Sequence, residues 1–243
     1  MVFLGATRGM GRALARLMAQ RGDALFLLGR NREDLERSAR DLEVVAVTAK
    51  IGFSHCDLSD KDSIAPALGE AWEALSGFDA VVVTAGIYAG QEQLESDLEV
   101  RDRLLRINFC NAIHFCEEAR QHLLERGGGT LCVFGSVSGD RPRKNVIIYG
   151  ATKAGLGFYL QGLDLKFRSQ GLRTVLVKPG FVRTSMTADL DPPPFTGEPE
   201  TVARRVLKAI DRGRPVVYAP GIWRWIMLVI RSLPRAVLRR SEF

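Results

Sequence analysis

A serine, a tyrosine and a lysine stand in an order that could move a proton to or from a carbonyl oxygen. Twelve residues separate Ser136 from Tyr149, and three more separate Tyr149 from Lys153. Residues 149–163 read as helix, so Tyr149 and Lys153 leave the same face one turn apart. We expect the ammonium to lower the pKa of the tyrosine from its usual value of about 10. The pair alone is weak evidence, because this spacing is common on solvated helices.

A glycine-rich turn near the amino terminus could hold a phosphate group. The apolar residues 2–4 precede the turn GATRGMG at 5–11, which leads into a helical pattern at 12–21 and an apolar strand at 23–29. Glycines allow close backbone approach, and the start of a helix presents free N–H groups to a pyrophosphate. The pattern therefore predicts a βαβ unit that binds a dinucleotide.

With these motifs the chain resembles the short-chain dehydrogenase/reductase family over roughly residues 1 to 220. The family's fourth-strand motif falls on residues 83–86, with Val83 and Thr84 in place of two asparagines. Its P-G-x-V-x-T motif falls on residues 179–184, and its tetrad asparagine falls on Asn108. Several motifs in the correct order make this resemblance strong.

The resemblance implies a catalytic tetrad of Asn108, Ser136, Tyr149 and Lys153. Tyr149 would donate a proton to the carbonyl oxygen while Ser136 holds that oxygen. Lys153 would also bind the nicotinamide ribose, and Asn108 would hold a water that links Lys153 to solvent. In the alternative reading these residues are structural, with Ser136 ending a strand and Asn108 kinking a helix.

The resemblance also implies a nicotinamide dinucleotide site. Its residues would be Gly5, Thr7, Arg8, Gly9, Met10, Gly11, Arg30, Asp57, Leu58, Ala85, Gly86, Tyr149, Lys153, Pro179, Gly180, Val182 and Thr184. An acidic residue after the second strand binds the ribose of NAD, whereas an arginine accommodates the 2′-phosphate of NADP. Because Arg30 stands there and Arg8 lies in the glycine turn, NADPH is favoured. NADH is the alternative, in which both arginines only line a solvated rim.

The resemblance implies an α/β fold with a single Rossmann-like, doubly wound parallel sheet and helices on both faces, and composition agrees with one such domain. The chain has 243 residues, 46% of them hydrophobic, without an internal linker or repeat. We expect this domain over residues 1–220 and an amphipathic basic tail over 221–243. Four scattered cysteines and three histidines predict reduced thiols and no metal, which favours a cytoplasmic location. We expect no secretory signal.

The tail alternates apolar and cationic residues at helical spacing. Its net charge is +4 out of +6 for the chain, so the rest is nearly balanced and nucleic-acid binding is not expected. Pro234 should break or kink the helix, and the longest apolar run, 225–230, is far below the roughly 20 residues that span a bilayer. One apolar face is predicted, formed by Trp223, Ile226, Met227, Ile230, Leu233 and Val237. That face could lie in a membrane interface or pack on protein.

Two further segments could contact a substrate. Arg141, Arg143 and Lys144 lie between Ser136 and Tyr149, where they would suit a phosphate-bearing substrate or simply keep the loop solvated. Residues 185–199 occupy the family's substrate-lid position and contain three consecutive prolines.

The carboxyl-terminal half is similar to reductases that act on decaprenylphosphoryl-2-keto-pentose. The similar stretches are residues 149–163, 177–190, 217–220 and 223–240. The resemblance implies a ketone on a polyprenylphosphoryl pentose in lipid-linked arabinose synthesis, a flavin oxidase partner and peripheral contact with the inner face of the cell membrane. Two alternatives stay open: a soluble carbonyl or 3-oxoacyl reductase, and a nucleotide-sensing interaction protein without turnover. The family also implies a homodimer or homotetramer built through the helices that carry Asn108 and Tyr149.

Overall fold

Seven parallel strands form one sheet in the computed structural model, which describes residues 1–46, 51–188 and 191–240. The strands are β1 Val2–Leu4, β2 Leu25–Gly29, β3 Ile51–His55, β4 Ala80–Val83, β5 Gly129–Phe134, β6 Leu172–Pro179 and β7 Val216–Ala219. The first helices are α1 Gly9–Arg21, α2 Arg32–Val45, α3 Ile64–Leu75, α4 Gln91–Ser96 and α5 Leu98–Leu105. The later helices are α6 Asn111–Glu125, α7 Ile147–Phe167, α8 Pro199–Asp211, α9 Trp223–Ser232 and α10 Arg235–Arg240. Two residues of the predicted lid, Asp189 and Leu190, and the last three residues of the tail lie outside the described ranges.

The strand order is β3-β2-β1-β4-β5-β6-β7, and each neighbouring pair is parallel. The direction of winding reverses between β1 and β4. Open α/β sheets bind ligands in the crevice at such a switch point, beyond the carboxyl ends of the strands. The predicted doubly wound fold is therefore confirmed, and the glycine turn and residues 83–86 meet at its switch point.

Both faces of the sheet are covered, which explains why the central strands are nearly continuous apolar runs. All four residues of β4, Ala-Val-Val-Val, are buried. One face is covered by α3, α6 and α7, which contribute Leu68, Phe115 and Leu160 to its core. The other face is covered by α1 and α8, which contribute Leu14 and Val206. These two packed layers hold the strand ends, and thus the crevice, in fixed relative positions.

The tail forms two helices that are interrupted at Leu233 and Pro234, as predicted. Trp223, Met227 and Ile230 are buried in a small cluster with Val137, which follows the catalytic-motif serine. The predicted apolar face of the tail, which could have lain in a membrane interface, is therefore largely covered by the protein itself. In the described part of the chain, no helix combines the length and hydropathy needed to cross a bilayer.

Candidate active site

A crevice of about 410 Å³ opens where β1 and β4 end. Twelve of the residues predicted to bind a cofactor line it: Gly5, Thr7, Arg8, Gly9, Met10, Gly11, Arg30, Asp57, Leu58, Ala85, Gly86 and Thr184. The other five, Tyr149, Lys153, Pro179, Gly180 and Val182, lie outside its lining. Lys153 is nonetheless adjacent, because a Cβ placed on Gly86 would lie 3.5 Å from its Nζ.

The glycine turn is shaped by backbone constraints that other residues would not meet. Gly5 has a φ of +97°, and a Cβ on Gly11 would lie 2.2 Å from the carbonyl oxygen of Gly5. At the start of α1, Arg8 offers no side-chain acceptor to the helix, and the first turn has no acidic residue. Gly9, Met10 and Gly11 of this first turn line the crevice. This cradle fits the pyrophosphate of a nicotinamide dinucleotide.

Thr84 stands where the family pattern has an asparagine, and its side chain binds the backbone of the glycine turn. Its hydroxyl donates to the carbonyl of Gly5 over 2.8 Å, and the carbonyl of Leu4 lies 3.3 Å away. The hydroxyl therefore ties the end of β4 to the glycine turn. A short side chain at this position is compatible with an ordered turn.

Two arginines pair with one carboxylate near the end of β2. Asp34, in the first turn of α2, pairs with Arg8 at 3.0 Å and also pairs with Arg37. Asn31 caps the same helix by accepting from the backbone N–H of Asp34 at 3.0 Å. The other lining residues were not predicted to bind the cofactor, namely Leu4, Gly29, Asn31, Asp34, Cys56, Thr84, Ile87, Ile107, Ser185 and Met186. Asn31 and Asp34 could have been found from their helix-capping pattern.

The pKa of Tyr149 is higher than the sequence predicted. Burial raises its pKa to about 12, a hydrogen bond with Ser136 opposes the shift, and the nearby Tyr88 hydroxyl adds to it. The two tyrosine rings meet edge to face with centroids 5.3 Å apart. The expected lowering of this pKa is not found, because desolvation of the phenolate raises it.

Lys153 lies behind the tyrosine and is itself buried. Its Nζ donates to the carbonyl of Phe134, at the end of β5, over 3.2 Å. The same atom is 5.7 Å from the centroid of the Tyr149 ring. Burial lowers the pKa of Lys153 to about 8, so its charge can change near neutral pH.

Asn108 lies in a single π-helical turn, Arg106–Cys110, between α5 and α6. Its side-chain amide donates to the carbonyl of Ile87 over 2.7 Å and accepts from the N–H of the same residue over 2.8 Å. This double contact holds the segment after β4. A π turn inside a helix is often found at functional sites. The predicted water beside Asn108 stays a prediction.

The loop after Ser136 is held by a network of buried polar groups. The hydroxyl of Ser136 accepts from the N–H of Ser138 at 3.0 Å. The Asp140 side chain, only 3% exposed, pairs with Lys178 of β6 and accepts from the Tyr218 hydroxyl of β7 at 2.7 Å. Burial and this hydrogen bond raise the pKa of Tyr218 to about 12. The network joins the loop after Ser136 to β6 and β7.

The three cations of this loop, Arg141, Arg143 and Lys144, have two kinds of partner. Arg141 donates to the carbonyl of Leu233 over 2.8 Å, and Lys144 donates to that of Arg239 over 2.9 Å. Both therefore bind backbone at the carboxyl ends of the tail helices. Arg143 instead donates to the hydroxyl of Ser138 over 2.8 Å and interacts electrostatically with Tyr88. Only Arg143, of these three, is directed to the tyrosine and serine cluster.

The segment after β6 packs under the tail. The N–H of Gly180 donates to the carbonyl of Ala219 over 3.1 Å, and Val182 forms an isolated bridge with Gly197. The indole nitrogen of Trp223 donates to the carbonyl of Phe195 over 3.3 Å. In the lid, the exposed Met186 lines the crevice.

No group of residues suited to a metal ion occurs within residues 1–46, 51–188 and 191–240. Cys56, Cys116 and Cys132 are buried free thiols. Burial raises the pKa of all three, to about 12 for Cys56. These thiols are therefore protonated and inert.

Comparisons with known proteins agree with this geometry. Residues 1–194 match the family model described as short chain dehydrogenase. An uncharacterized oxidoreductase of Streptomyces coelicolor is 33% identical over 241 residues, which cover 99% of this chain and 94% of the relative. Carbonyl reductase family member 4 of Xenopus laevis is 32% identical over 215 residues, which cover 85% and 89%. A solved short-chain dehydrogenase from Sphingobium yanoikuyae in complex with NADPH superposes with a TM-score of 0.83 at 25% identity, covering 97% and 96%.

Proposed function

The chain belongs to the short-chain dehydrogenase/reductase family and is an NAD(P)-dependent oxidoreductase, and we propose that it reduces a ketone to an alcohol with NADPH. The observation that carries the proposal is the juxtaposition of the Ser136 and Tyr149 hydroxyls, with the Nζ of Lys153 5.7 Å from the tyrosine ring centroid and next to Gly86 of the crevice. A carbonyl compound that reaches both hydroxyls would lie beside the end of the cofactor site.

In this proposal the bound nicotinamide supplies the hydride, and residues of the chain orient and protonate the carbonyl oxygen of the ketone. Ser136 donates a hydrogen bond to the carbonyl oxygen and orients it. Tyr149, whose pKa of about 12 keeps it protonated at neutral pH, gives its proton to that oxygen. Lys153 stabilises the resulting phenolate by its positive charge. The protonated form of the tyrosine is the one that reduction of a ketone requires.

The preference for NADPH rests on the cations around the end of β2. Arg30 lines the crevice directly after that strand, and Arg8 lies in the glycine turn. The carboxylate of Asp34 is engaged by Arg8 and Arg37, so its negative charge is locally balanced. An arginine fork suits a 2′-phosphate. The Sphingobium yanoikuyae relative was solved with NADPH, which supports the same choice.

The direct test is ketone-dependent oxidation of NADPH by the purified full chain. A panel of small ketones and 3-oxoacyl thioesters is supplied, and loss of NADPH absorbance is followed together with the alcohol product. Turnover that is faster with NADPH than with NADH supports the proposal. Tight binding of NADPH without turnover of any carbonyl compound would support the nucleotide-sensing alternative.

A second candidate is reduction of a lipid-linked ketone, as in the polyprenylphosphoryl pentose hypothesis. The observation that favours it is a second apolar face of α9, which comprises Ile222, Trp225, Leu228 and Val229 and is exposed, with Trp225 60% and Val229 63% exposed. Arg224 and Arg231 adjoin this face. Apolar residues flanked by arginines suit an anionic lipid surface. The flavin oxidase partner depends on the same hypothesis and stays a prediction.

Flotation with liposomes tests the second candidate. Binding to vesicles that contain phosphatidylglycerol should fall when Trp225 and Val229 are both changed to glutamine. Val44→Gln is the matched control, because Val44 is 86% exposed on α2, away from the tail. Deleting the tail is a poorer test, since it would uncover the buried cluster around Val137. Equal vesicle binding by all variants would remove the lipid-surface argument.

We also propose that two copies associate through α7. Phe158 and Leu165 are 82% and 87% exposed on this helix, although both are large and apolar. Light scattering should show a homo-oligomer that Phe158→Glu weakens. A wild-type monomer would exclude this arrangement.

A further inference from the structure

A second cavity, of about 330 Å³, adjoins the cofactor crevice on the side of α1 and α2. Its lining residues are Thr7, Arg8, Arg12, Asp34, Arg37, Ser38 and Asp41. Thr7, Arg8 and Asp34 also line the crevice, so they lie between the two spaces. Asp34 therefore places a carboxylate in the same crevice as Arg8 and Arg30, the two arginines that the proposed function assigns to the 2′-phosphate of NADPH.

The carboxylate of Asp34 is fixed in place and charged. Its side chain is only 17% exposed, and its backbone N–H donates to the side chain of Asn31 over 3.0 Å. It lies in the first turn of α2, where the helix dipole favours a negative charge. Desolvation alone would raise the pKa of Asp34, but hydrogen bonds from Arg8 and Arg37 lower it below its usual value. A phosphate that enters the crevice thus meets a negative charge.

The two oxygens of Asp34 are divided between two arginines. Oδ2 accepts from Arg8 over 3.0 Å, and Oδ1 accepts from Arg37. Arg8 lines the crevice, whereas Arg37 lines the second cavity only. A phosphate in the crevice can therefore compete with Asp34 for Arg8, because a guanidinium binds either anion by charge-assisted hydrogen bonds. When Arg8 turns to the phosphate, Arg37 is the counter-ion that Asp34 keeps.

We infer that Arg37 determines the preference for NADPH indirectly, as a positioning residue that neutralises Asp34 while the 2′-phosphate takes Arg8. The inference rests on the NADPH site of the proposed function. NADH lacks the 2′-phosphate, so with NADH bound Asp34 keeps both arginines. Loss of Arg37 should therefore weaken the binding of NADPH alone, and only while residue 34 carries a charge.

A double-mutant cycle between residues 34 and 37 tests this coupling. The Kd of the full chain for NADPH and for NADH is measured by fluorescence titration at constant ionic strength. Arg37→Gln should raise the Kd for NADPH about tenfold and that for NADH less than about twofold. Arg37→Lys keeps the charge and should restore most of the affinity. Asp34→Asn should lower the Kd for NADPH about threefold, and adding Arg37→Gln to it should change that Kd less than about twofold.

Two control variants match the arginine and the carboxylate. Arg40→Gln removes an arginine of the same helix that pairs with Glu36 and, unlike Arg37, is not among the lining residues of either cavity. Asp41→Asn removes a carboxylate that pairs with Arg12 and lines the second cavity only. Each control should change the ratio of the two Kd values less than about twofold, because exposed pairs outside the crevice are screened by solvent.

Equal losses of NADPH and NADH affinity in Arg37→Gln would overturn the inference, since a general structural role affects both nucleotides. The same loss of NADPH affinity with asparagine at position 34 would also overturn it, because Arg37 would then act on the phosphate independently of Asp34. A wild type that binds NADH as tightly as NADPH would count against the proposed cofactor preference. In that case, a loss in Arg37→Gln that is confined to NADPH and requires the charge of Asp34 would still support the role of Arg37.

Discussion

The indole of Trp223 lies directly against the backbone of Gly180. A Cβ on that glycine would be only 2.0 Å from the indole nitrogen. The contact joins the first residue of α9 to the P-G-x-V-x-T motif at residues 179–184. Because the indole of Trp223 also donates to the carbonyl of Phe195 in the predicted lid, one buried indole links tail, lid and motif.

Gly180→Ala should therefore destabilise the protein and weaken cofactor binding. Overpacking of a buried position costs about 1–3 kcal/mol, and here the indole must move away from the motif. Urea unfolding and NADPH titration measure the two effects. Gly162→Ala is the control, because nothing lies within 4 Å of a Cβ there. That change within α7 should stabilise the protein by about 0.5–1 kcal/mol. Equal stability of the two variants would show that the indole contact is unimportant.

Tyr149→Phe should lower kcat for ketone reduction by at least about 100-fold, because the proton donor is lost. The Kd for NADPH should stay within about twofold of the wild type, since the hydroxyl lies outside the crevice lining. Tyr159→Phe is the matched control on the same helix. Its hydroxyl donates to Glu117 over 2.7 Å, so its loss should cost about 1 kcal/mol of stability with little effect on kcat. Comparable turnover by Tyr149→Phe and the wild type would exclude this tyrosine as the proton donor.

The pH dependence of kcat/KM should reveal the ionisation of the buried Lys153. Lys153 is charged below its lowered pKa of about 8 and neutral above it. If its charge stabilises the phenolate, kcat/KM for reduction should be level below about pH 8 and fall about tenfold per pH unit above it. In Lys153→Arg the rate should be lower but the fall should disappear, because the guanidinium stays charged. A wild-type rate that rises through this range would contradict the role given to Lys153.

Arg30→Gln should raise the Kd for NADPH about tenfold and leave that for NADH within about twofold, because a charge-assisted contact with the 2′-phosphate is lost. Fluorescence titration with each nucleotide gives both constants. Arg40→Gln provides the control, since Arg40 pairs with Glu36 on the exposed side of α2. Equal losses for NADPH and NADH in Arg30→Gln would mean that the arginine does not select between them.

Local spacing was sufficient for much of the site and the fold. The glycine turn and the strand that follows α1 predicted a βαβ unit, and together with the Ser136, Tyr149 and Lys153 order they carried the family resemblance that implies a doubly wound sheet. These features depend on backbone geometry and helical periodicity, which are readable from neighbours in the chain. Pro234 likewise predicted the break between α9 and α10.

Other properties depended on contacts between distant residues. Tyr149 has a raised pKa because the fold buries it, although the adjacent lysine suggested the opposite. The apolar face of the tail could suit a membrane or a protein, and only the cluster with Val137 decided between them for Trp223, Met227 and Ile230. Arg143 could not be distinguished from Arg141 and Lys144 until their partners were known. Sequence determines which groups are present and their local spacing, whereas burial and long-range pairing set their charge and their partners, and these exist only in the folded chain.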